Sequence, residues 1–126
     1  MLLWALEGSL DSESSELIGE RSEVVYVSAA SIWEIEIKQA QGRLTVPADL
    51  LSLIERTGFD ELAVTFEHAV EAARLPLLHR DPFDRMLVAQ ARAERLVLAS
   101  ADASVARYDV EVVTVGRAQP GPETLS

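Results

Sequence analysis

The chain alternates short apolar runs with longer segments whose apolar residues recur every three or four positions. Residues 24–27 form a β-branched and aromatic run with few charges, which is typical of a strand buried on both faces. Similar runs predict strands at 61–65, 96–99 and 110–115. Helical periodicity predicts helices at 12–21, 31–41, 47–57, 66–75 and 82–94, with a short helical turn at 103–108.

Strands that alternate with helices of this length predict an α/β fold, in which a parallel sheet is covered by helices on both faces. We expect a single domain over residues 1–116 and a flexible tail over 117–126, which contains two prolines, one glycine and no periodicity. Residues 2–6 are apolar without the alternation of a half-buried strand. We interpret them as the end of an element that begins off the chain.

The composition narrows the possible functions. The absence of cysteine excludes a disulfide framework, a thiolate zinc site and a cysteine nucleophile, and is compatible with a cytoplasmic protein. No apolar run reaches the roughly 18 residues of a membrane helix, so we expect no membrane partner. The formal net charge of -10 repels phosphates at long range. A nucleic-acid enzyme with this charge needs bound metal and a few local arginines, and the acidic surface equally suits a basic protein partner.

Three acids lie at element junctions that converge in such a fold. Glu34 and Asp84 lie near the starts of two predicted helices, and Asp102 follows a predicted strand. The carboxyl ends of parallel strands and the N-termini of the returning helices share one edge of the sheet, so the three carboxylates are expected in one cleft. Like charges clustered there need a cation, and carboxylate oxygens suit a hard divalent metal ion.

Each acid also has a structural interpretation. Ser31 and Glu34 have the spacing of a capping box, which for Glu34 taken alone is the stronger explanation. Asp81 is a natural N-cap, since a proline follows it in the first helical turn, and Asp84 complements the helix dipole. Asp102 suits the cap of the next short helix. The convergence of the three acids on one edge favours the metal site.

The neighbouring polar and aromatic residues are less informative. His68 and His79 lack the spacing of a zinc site, and we interpret both as surface or packing residues. Trp33 is predicted to anchor the core rather than to stack on a base, because of the apolar area that it can bury. Arg80 and Arg85 flank the acids, and they either pair with them at the surface or contact phosphates beside the metal. The sequence favours neither role.

Four segments, taken together, carry a family resemblance: residues 2–9, 27–35, 75–85 and 98–102. The second contains Ser31-Ile32-Trp33-Glu34 and the third Asp81-Pro82-Phe83-Asp84. The chain resembles a PIN domain over nearly its whole length, and more narrowly a VapC-like toxin of a type II toxin–antitoxin pair. The second and third segments are specific for a subgroup of these toxins. The resemblance implies a three-layer PIN-like fold.

The resemblance also implies a function. It makes Glu34, Asp84 and Asp102 the catalytic metal ligands, with Asp81 as an accessory carboxylate or helix cap. The expected protein is a Mg²⁺- or Mn²⁺-dependent endoribonuclease that cleaves structured RNA of the tRNA or ribosomal RNA class. It is expected to work as a homodimer and to be held inactive by a cognate antitoxin that binds over the cleft.

The chain departs from the family at its start. In the family, the central strand of the sheet comes first and ends in an Asp that is the earliest metal ligand. This chain begins just after the place of that strand, at Met1-Leu2-Leu3-Trp4. We therefore expect the first, central strand and its Asp to be absent from this chain.

That departure leaves a second function open, a catalytically impaired PIN domain that binds an antitoxin without cutting RNA. Two other acid-cluster folds are set aside. A receiver-like phosphoacceptor needs a lysine after a late strand, whereas the single lysine here is Lys38, inside a predicted helix. A haloacid-dehalogenase-type phosphatase needs a D-x-D loop, and the sequence has none.

Overall fold

The computed structural model describes residues 1–5, 24–45, 49–78, 81–100 and 103–114. The strands in this part of the chain are β1 (Leu2–Trp4), β2 (Val25–Ser28), β3 (Asp60–Leu62), β4 (Val97–Ser100) and β5 (Val112–Thr114). They form one sheet in the order β3-β2-β1-β4-β5, and neighbouring strands are parallel throughout. The predicted parallel α/β sheet is confirmed. The predicted helix at 12–21 and the predicted tail at 117–126 lie outside the described residues.

The expected absence of a central strand is wrong. Leu2–Trp4 is itself the central strand, with Leu2 opposite Val25 of β2 on one side and opposite Val97 of β4 on the other. All three residues of β1 are buried. A strand buried on both faces has no reason to alternate apolar and polar residues, so the lack of alternation at 2–6 was no argument against a strand.

Helices cover both faces of the sheet. They are α1 (Ala29–Ala40), α2 (Leu50–Thr57), α3 (Phe66–Arg74) and α4 (Pro82–Glu94), and a 3-10 helix spans Ala103–Arg107. In the part of the chain that the structure describes, no helix is long and apolar enough to cross a bilayer.

The core consists of two apolar clusters, one on each face of the sheet, because successive residues of β1 point to opposite sides. One cluster joins β1 and its neighbouring strands to α1 and α2, through Leu2, Trp4, Val25, Val27, Ile35, Leu50 and Ala99. The other joins the sheet to α4 and the 3-10 helix, and includes Leu3, Ala5, Leu75, Leu87, Val88, Ala91, Leu98, Val105 and Tyr108. The central strand thus holds both layers together.

The start of α1 differs from the predicted capping box. Ser28, the last residue of β2, is the N-cap, and its Oγ accepts a hydrogen bond from Ala30 N at 3.0 Å. Ser31 lies in the first helical turn, and its buried Oγ has no hydrogen-bond partner among the described residues. Because the helix begins directly at the end of β2, it starts at the carboxyl edge of the sheet. The capping-box explanation of Glu34 is therefore wrong.

The start of α2 is capped by an exposed carboxylate. Asp49 Oδ1 accepts a hydrogen bond from Ser52 N at 3.3 Å. Hydrogen bonds from the Ser52 side chain and then its backbone hold the pKa of Asp49 below its ordinary value of 3.8. Gly58 ends the helix with φ of 81°, a left-handed conformation that favours glycine.

Helix α3 begins with a capping box formed by a histidine. Thr65 Oγ1 accepts from His68 N at 3.2 Å, and His68 Nδ1 accepts from Thr65 N at 3.1 Å. The face that α3 turns toward α4 includes the buried His68 and the half-buried Glu71 and Ala72. Its apolar residues Phe66, Ala69, Val70 and Ala73 are exposed instead.

Candidate active site

The carboxyl edge of the sheet brings the N-terminal parts of α1 and α4 together. The two helices are in contact there, and the rings of Trp33 and Phe83 meet edge to face with centroids 5.4 Å apart. Each ring directly precedes a predicted catalytic acid, Glu34 on α1 and Asp84 on α4. The fold therefore places these two acids on adjoining segments at the edge where parallel α/β sheets carry their chemistry.

Glu34 is a buried carboxylate with an internal counter-ion. It is only 5% exposed, and its Oε2 lies 3.0 Å from Lys38 Nζ, one helical turn further along α1. Sequence reasoning missed this ion pair, although the spacing of four residues with Glu on the N-terminal side is the favourable arrangement on a helix. A cation that binds Glu34 must share it with the ammonium group or displace that group.

Asp84 is buried in the first turn of α4 and is 7% exposed. Asp81 is the N-cap of this helix. Its Oδ1 accepts hydrogen bonds from Phe83 N at 2.8 Å and from Asp84 N at 3.3 Å. Pro82 occupies the first turn, as predicted. Asp81 thus acts as a helix cap that fixes the backbone position of Asp84. The partial positive charge of the helix N-terminus favours an ionised carboxylate there.

The third predicted acid, Asp102, lies outside the described residues, as does Arg80. Among the residues described, no group of three or more His, Cys, Asp or Glu side chains is placed to hold a metal ion. The buried residue that follows the central strand β1 is Ala5, so no acid stands directly at the end of this strand. In the described part of the chain, the site therefore rests on Glu34 and Asp84.

Arg85 is held by hydrogen bonds within the fold. Its Nη1 donates to Pro76 O at 2.9 Å and to Tyr108 Oη at 3.2 Å. Its Nη2 donates to Ala72 O and Leu75 O, both at 3.0 Å. Both terminal nitrogens thus donate twice, mostly to carbonyl groups at the C-terminal end of α3. This geometry favours a structural role over the predicted phosphate contact.

Trp33 is not a core residue. It is 64% exposed and borders an apolar cleft of about 460 Å³, together with Val64, Phe83, Met86 and other apolar residues. The prediction of a core anchor is wrong because the sheet-facing side of α1 is formed by Ala30 and Ile35, which are buried. The lining of the cleft includes Trp33 and Phe83, the residues directly before Glu34 and Asp84.

The histidine prediction is confirmed for His68, a buried packing residue. Its Nδ1 accepts from Thr65 N, so the ring proton resides on Nε2, which lies 2.8 Å from Glu94 Oε2. Gln90 Nε2 is 3.3 Å from His68 Nδ1 and donates to Ala63 O. These contacts tie the start of α3 to α4. His79 lies outside the described residues.

Comparison with known proteins accounts for this arrangement. The model of the PIN domain family matches residues 1–111. The chain belongs to the PIN domain family. Its strand order, with Leu2–Trp4 at the centre, is thus the sheet of a PIN domain. A search of curated proteins gave no match.

Two solved structures share the fold of this PIN domain. The structure of FitAB bound to an IR36 DNA fragment is 18% identical with a TM-score of 0.60, over 90% of this chain and 94% of that chain. The crystal structure of FitAcB from Neisseria gonorrhoeae is 20% identical with a TM-score of 0.60, over 99% of this chain and 100% of that chain. At these identities the likeness is one of fold.

The acids of this PIN domain suit a hard divalent cation. Glu34 and Asp84 offer buried carboxylate oxygens, the ligands that Mg²⁺ and Mn²⁺ prefer. Cysteine is absent from the chain and His68 is engaged within the core, so neither supplies the softer ligands of a zinc site.

Proposed function

We propose that this PIN domain is a metal-dependent endoribonuclease of the VapC-like toxin type, which hydrolyses phosphodiester bonds in structured RNA such as tRNA or ribosomal RNA. The observation that carries the proposal is the pair of buried carboxylates, Glu34 and Asp84, on adjoining helices at the carboxyl edge of a PIN sheet. Carboxylate oxygens at the carboxyl edge of a parallel sheet are suitable ligands for a hard divalent cation.

In this proposal Glu34, Asp84 and Asp102 hold Mg²⁺ or Mn²⁺, and Asp81 keeps Asp84 in place by capping α4. When bound, the metal ion supplies an activated water and neutralises charge that develops on the phosphate. Lys38 neutralises Glu34 in the absence of metal, and Arg80 contacts a phosphate of the RNA beside the site.

We further propose that the protein works in the cytoplasm as a homodimer and is neutralised by a cognate antitoxin bound over the cleft. The net charge of -10 supports a partner with a basic surface. The fold similarity to FitAB, which was solved bound to a DNA fragment, supports a search for a two-protein assembly that contacts DNA.

The experiment is a cleavage assay on purified tRNA and ribosomal RNA, with Mg²⁺, with Mn²⁺ and with a chelator. We expect cleavage only with metal, and a rate lower by roughly 100-fold or more for Asp84→Asn, because lost stabilisation of transition-state charge has effects of this order. Asp60→Asn, at an exposed acid of the edge strand β3, is the matched control and should cleave normally. Circular dichroism should show both variants folded.

A second function is favoured by Ala5, which stands at the end of the central strand in place of an acid. It is a PIN domain that binds an antitoxin without cutting RNA. Calorimetric titration with Mn²⁺ separates the two functions. Wild-type protein that is folded but neither binds Mn²⁺ nor cleaves RNA would support the binding module and refute the nuclease. Full cleavage by Asp84→Asn would refute the proposed site.

A further inference from the structure

The apolar cleft of about 460 Å³ opens between the starts of α1 and α4. Trp33, Phe83 and Met86 line it, together with a proline, a valine and two alanines. Most of the surface of Trp33 is exposed, although its ring also meets that of Phe83 edge to face. An indole in this position offers solvent a flat apolar surface, which suits the flat apolar surface of a ligand.

The walls of the cleft are fixed by the two helix starts. Pro82 locks its own φ in the first turn of α4. Asp81 caps the same turn by accepting a hydrogen bond from Phe83 N at 2.8 Å. Aromatic side chains have two rotatable χ angles and lose little conformational entropy when a ligand covers them. The cleft is therefore preorganised, which lowers the cost of binding.

Both aromatic residues are chain neighbours of the proposed metal ligands. Trp33 directly precedes Glu34, and Phe83 directly precedes Asp84. The Cα atoms within each pair are therefore about 3.8 Å apart. A phosphodiester held at the two acids has the bases of its own nucleotides within reach of the cleft. This continuity with the proposed site selects the RNA substrate as the source of the ligand.

The charge of the chain determines which part of the RNA the cleft takes. The net charge of -10 repels phosphates at long range, and both Arg85 and Lys38 are engaged within the fold. A nucleobase is uncharged, and its π face stacks on an aromatic side chain without help from basic residues. We propose that the cleft binds an unpaired nucleobase of the RNA, stacked on Trp33, beside the phosphodiester that is cleaved.

The inference rests on the proposed function and makes its substrate more specific. A base inside a helical stem is stacked and paired, whereas a base in a loop or bulge is free to stack on a protein side chain. The RNA that reaches the acids is therefore a single-stranded segment of a structured molecule.

The lining also determines the expected base preference. Apart from the indole N–H, the side chains that line the cleft are hydrocarbon or thioether groups. Such a lining contacts the face of a base and does not read the hydrogen-bonding groups on its edge. We therefore expect purines to bind better than pyrimidines, because two fused rings cover more of the indole, and we expect little discrimination between adenine and guanine.

The first test is a titration of the 15N-labelled protein with adenosine in metal-free buffer, followed by NMR. The chain has two tryptophans and hence two indole N–H signals, and Trp33→Phe assigns them by removing one. Trp4 is 1% exposed and serves as the internal reference. We expect adenosine to shift the Trp33 signal saturably and to leave the Trp4 signal in place. Uridine should bind more weakly, and ribose alone should cause no shift.

The same titration with N-acetyl-leucinamide tests whether the cleft takes an apolar side chain of a protein instead. Tighter binding of adenosine than of this amide at Trp33 supports the nucleobase site. Equal or weaker binding of adenosine, or no shift with adenosine, would overturn it.

The second test is the cleavage of RNA by variants of Trp33. Trp33→Ala should raise KM by roughly 10-fold or more with little change in kcat, since the stacking of one base contributes binding of this order. Trp33→Phe keeps an aromatic face and should retain most of the affinity. Phe66→Ala, at a ring of α3 that is 93% exposed, is the matched control and should leave KM unchanged. A wild-type KM for Trp33→Ala would overturn the inference.

The two tests separate this inference from the nuclease proposal. The adenosine titration needs neither metal nor catalysis. Adenosine binding at Trp33 by a protein that cleaves no RNA would support the base site and refute the nuclease. Metal-dependent cleavage by a protein whose Trp33 signal ignores adenosine would support the nuclease and refute the base site.

Discussion

Replacement of Arg85 by methionine tests whether this arginine holds the fold or binds the substrate. Methionine keeps most of the aliphatic side chain but removes every hydrogen-bond donor of the guanidinium. Three of the four hydrogen bonds are part-buried, those to Tyr108 Oη, Ala72 O and Leu75 O. The fourth, to Pro76 O, is exposed and is expected to contribute little. At about 1 kcal/mol for each part-buried bond, the expected loss is about 3 kcal/mol.

A loss of this size is a large share of the roughly 5–15 kcal/mol that stabilises a typical domain. It corresponds to a decrease in Tm on the order of 10 °C. Urea unfolding followed by circular dichroism measures it directly. Arg92→Met is the matched control on the same helix. Arg92 forms a surface ion pair with Glu71, so its replacement should cost less than about 1 kcal/mol.

Arg85→Lys separates charge from geometry. Lysine keeps the positive charge but cannot donate in the fixed fork of a guanidinium, so most of the stability should still be lost. A structural role for Arg85 is refuted if Arg85→Met unfolds at the same urea concentration as the wild type while its affinity for RNA decreases. That result would return Arg85 to the role of a phosphate contact.

Three further changes have definite expected outcomes. Ser28→Ala should lower the free energy of unfolding by about 1 kcal/mol, because α1 loses its N-cap. Ser31→Ala should change this free energy little. Equal losses for the two variants in urea unfolding would contradict the assigned cap. Lys38→Met should lower the Tm in metal-free buffer, because buried Glu34 loses its counter-ion. Calorimetry should show that the variant binds Mn²⁺ more tightly than the wild type. Weaker binding would argue that Lys38 does not compete with the metal. The pKa of Asp49 is lowered in the folded state, so its contribution to the free energy of unfolding is present above the ordinary value of 3.8 and is lost as the pH falls through the folded pKa. The free energy of unfolding of Asp49→Asn should therefore depend less steeply on pH below pH 3.8. An unchanged acid profile would show that the cap does not stabilise the fold.

Much of the fold follows from local sequence chemistry. The helix at Pro82–Glu94 was predicted with its bounds and its cap, because an Asp-Pro pair specifies a helix start without help from the rest of the chain. The parallel sheet followed from the alternation of elements. The local sequence did not predict the strand at Leu2–Trp4. Both faces of this strand are buried, so it lacks the alternation of apolar and polar residues that identifies many strands.

The parts of the site that could not be predicted depend on distant partners. The hydrogen bonds of Arg85 reach carbonyl groups 9 to 13 residues away and a hydroxyl group 23 residues away, and no spacing rule marks such pairs. Helix α3 was predicted from the period of its apolar residues, yet it buries His68 and exposes Val70. Periodicity shows that a helix has two different sides, and tertiary contacts decide which side is buried.

The position of β1 in the sheet determines when the domain can fold during synthesis. Leu2 pairs with Val25 early in the chain but also with Val97, so the central strand acquires its second neighbour only after about 70 further residues have been made. At roughly 5–20 residues per second, this delay is on the order of 4–14 s. Throughout that interval one edge of Leu2–Trp4 has no partner strand in the nascent chain, so the parallel sheet cannot be completed until β4 has been made.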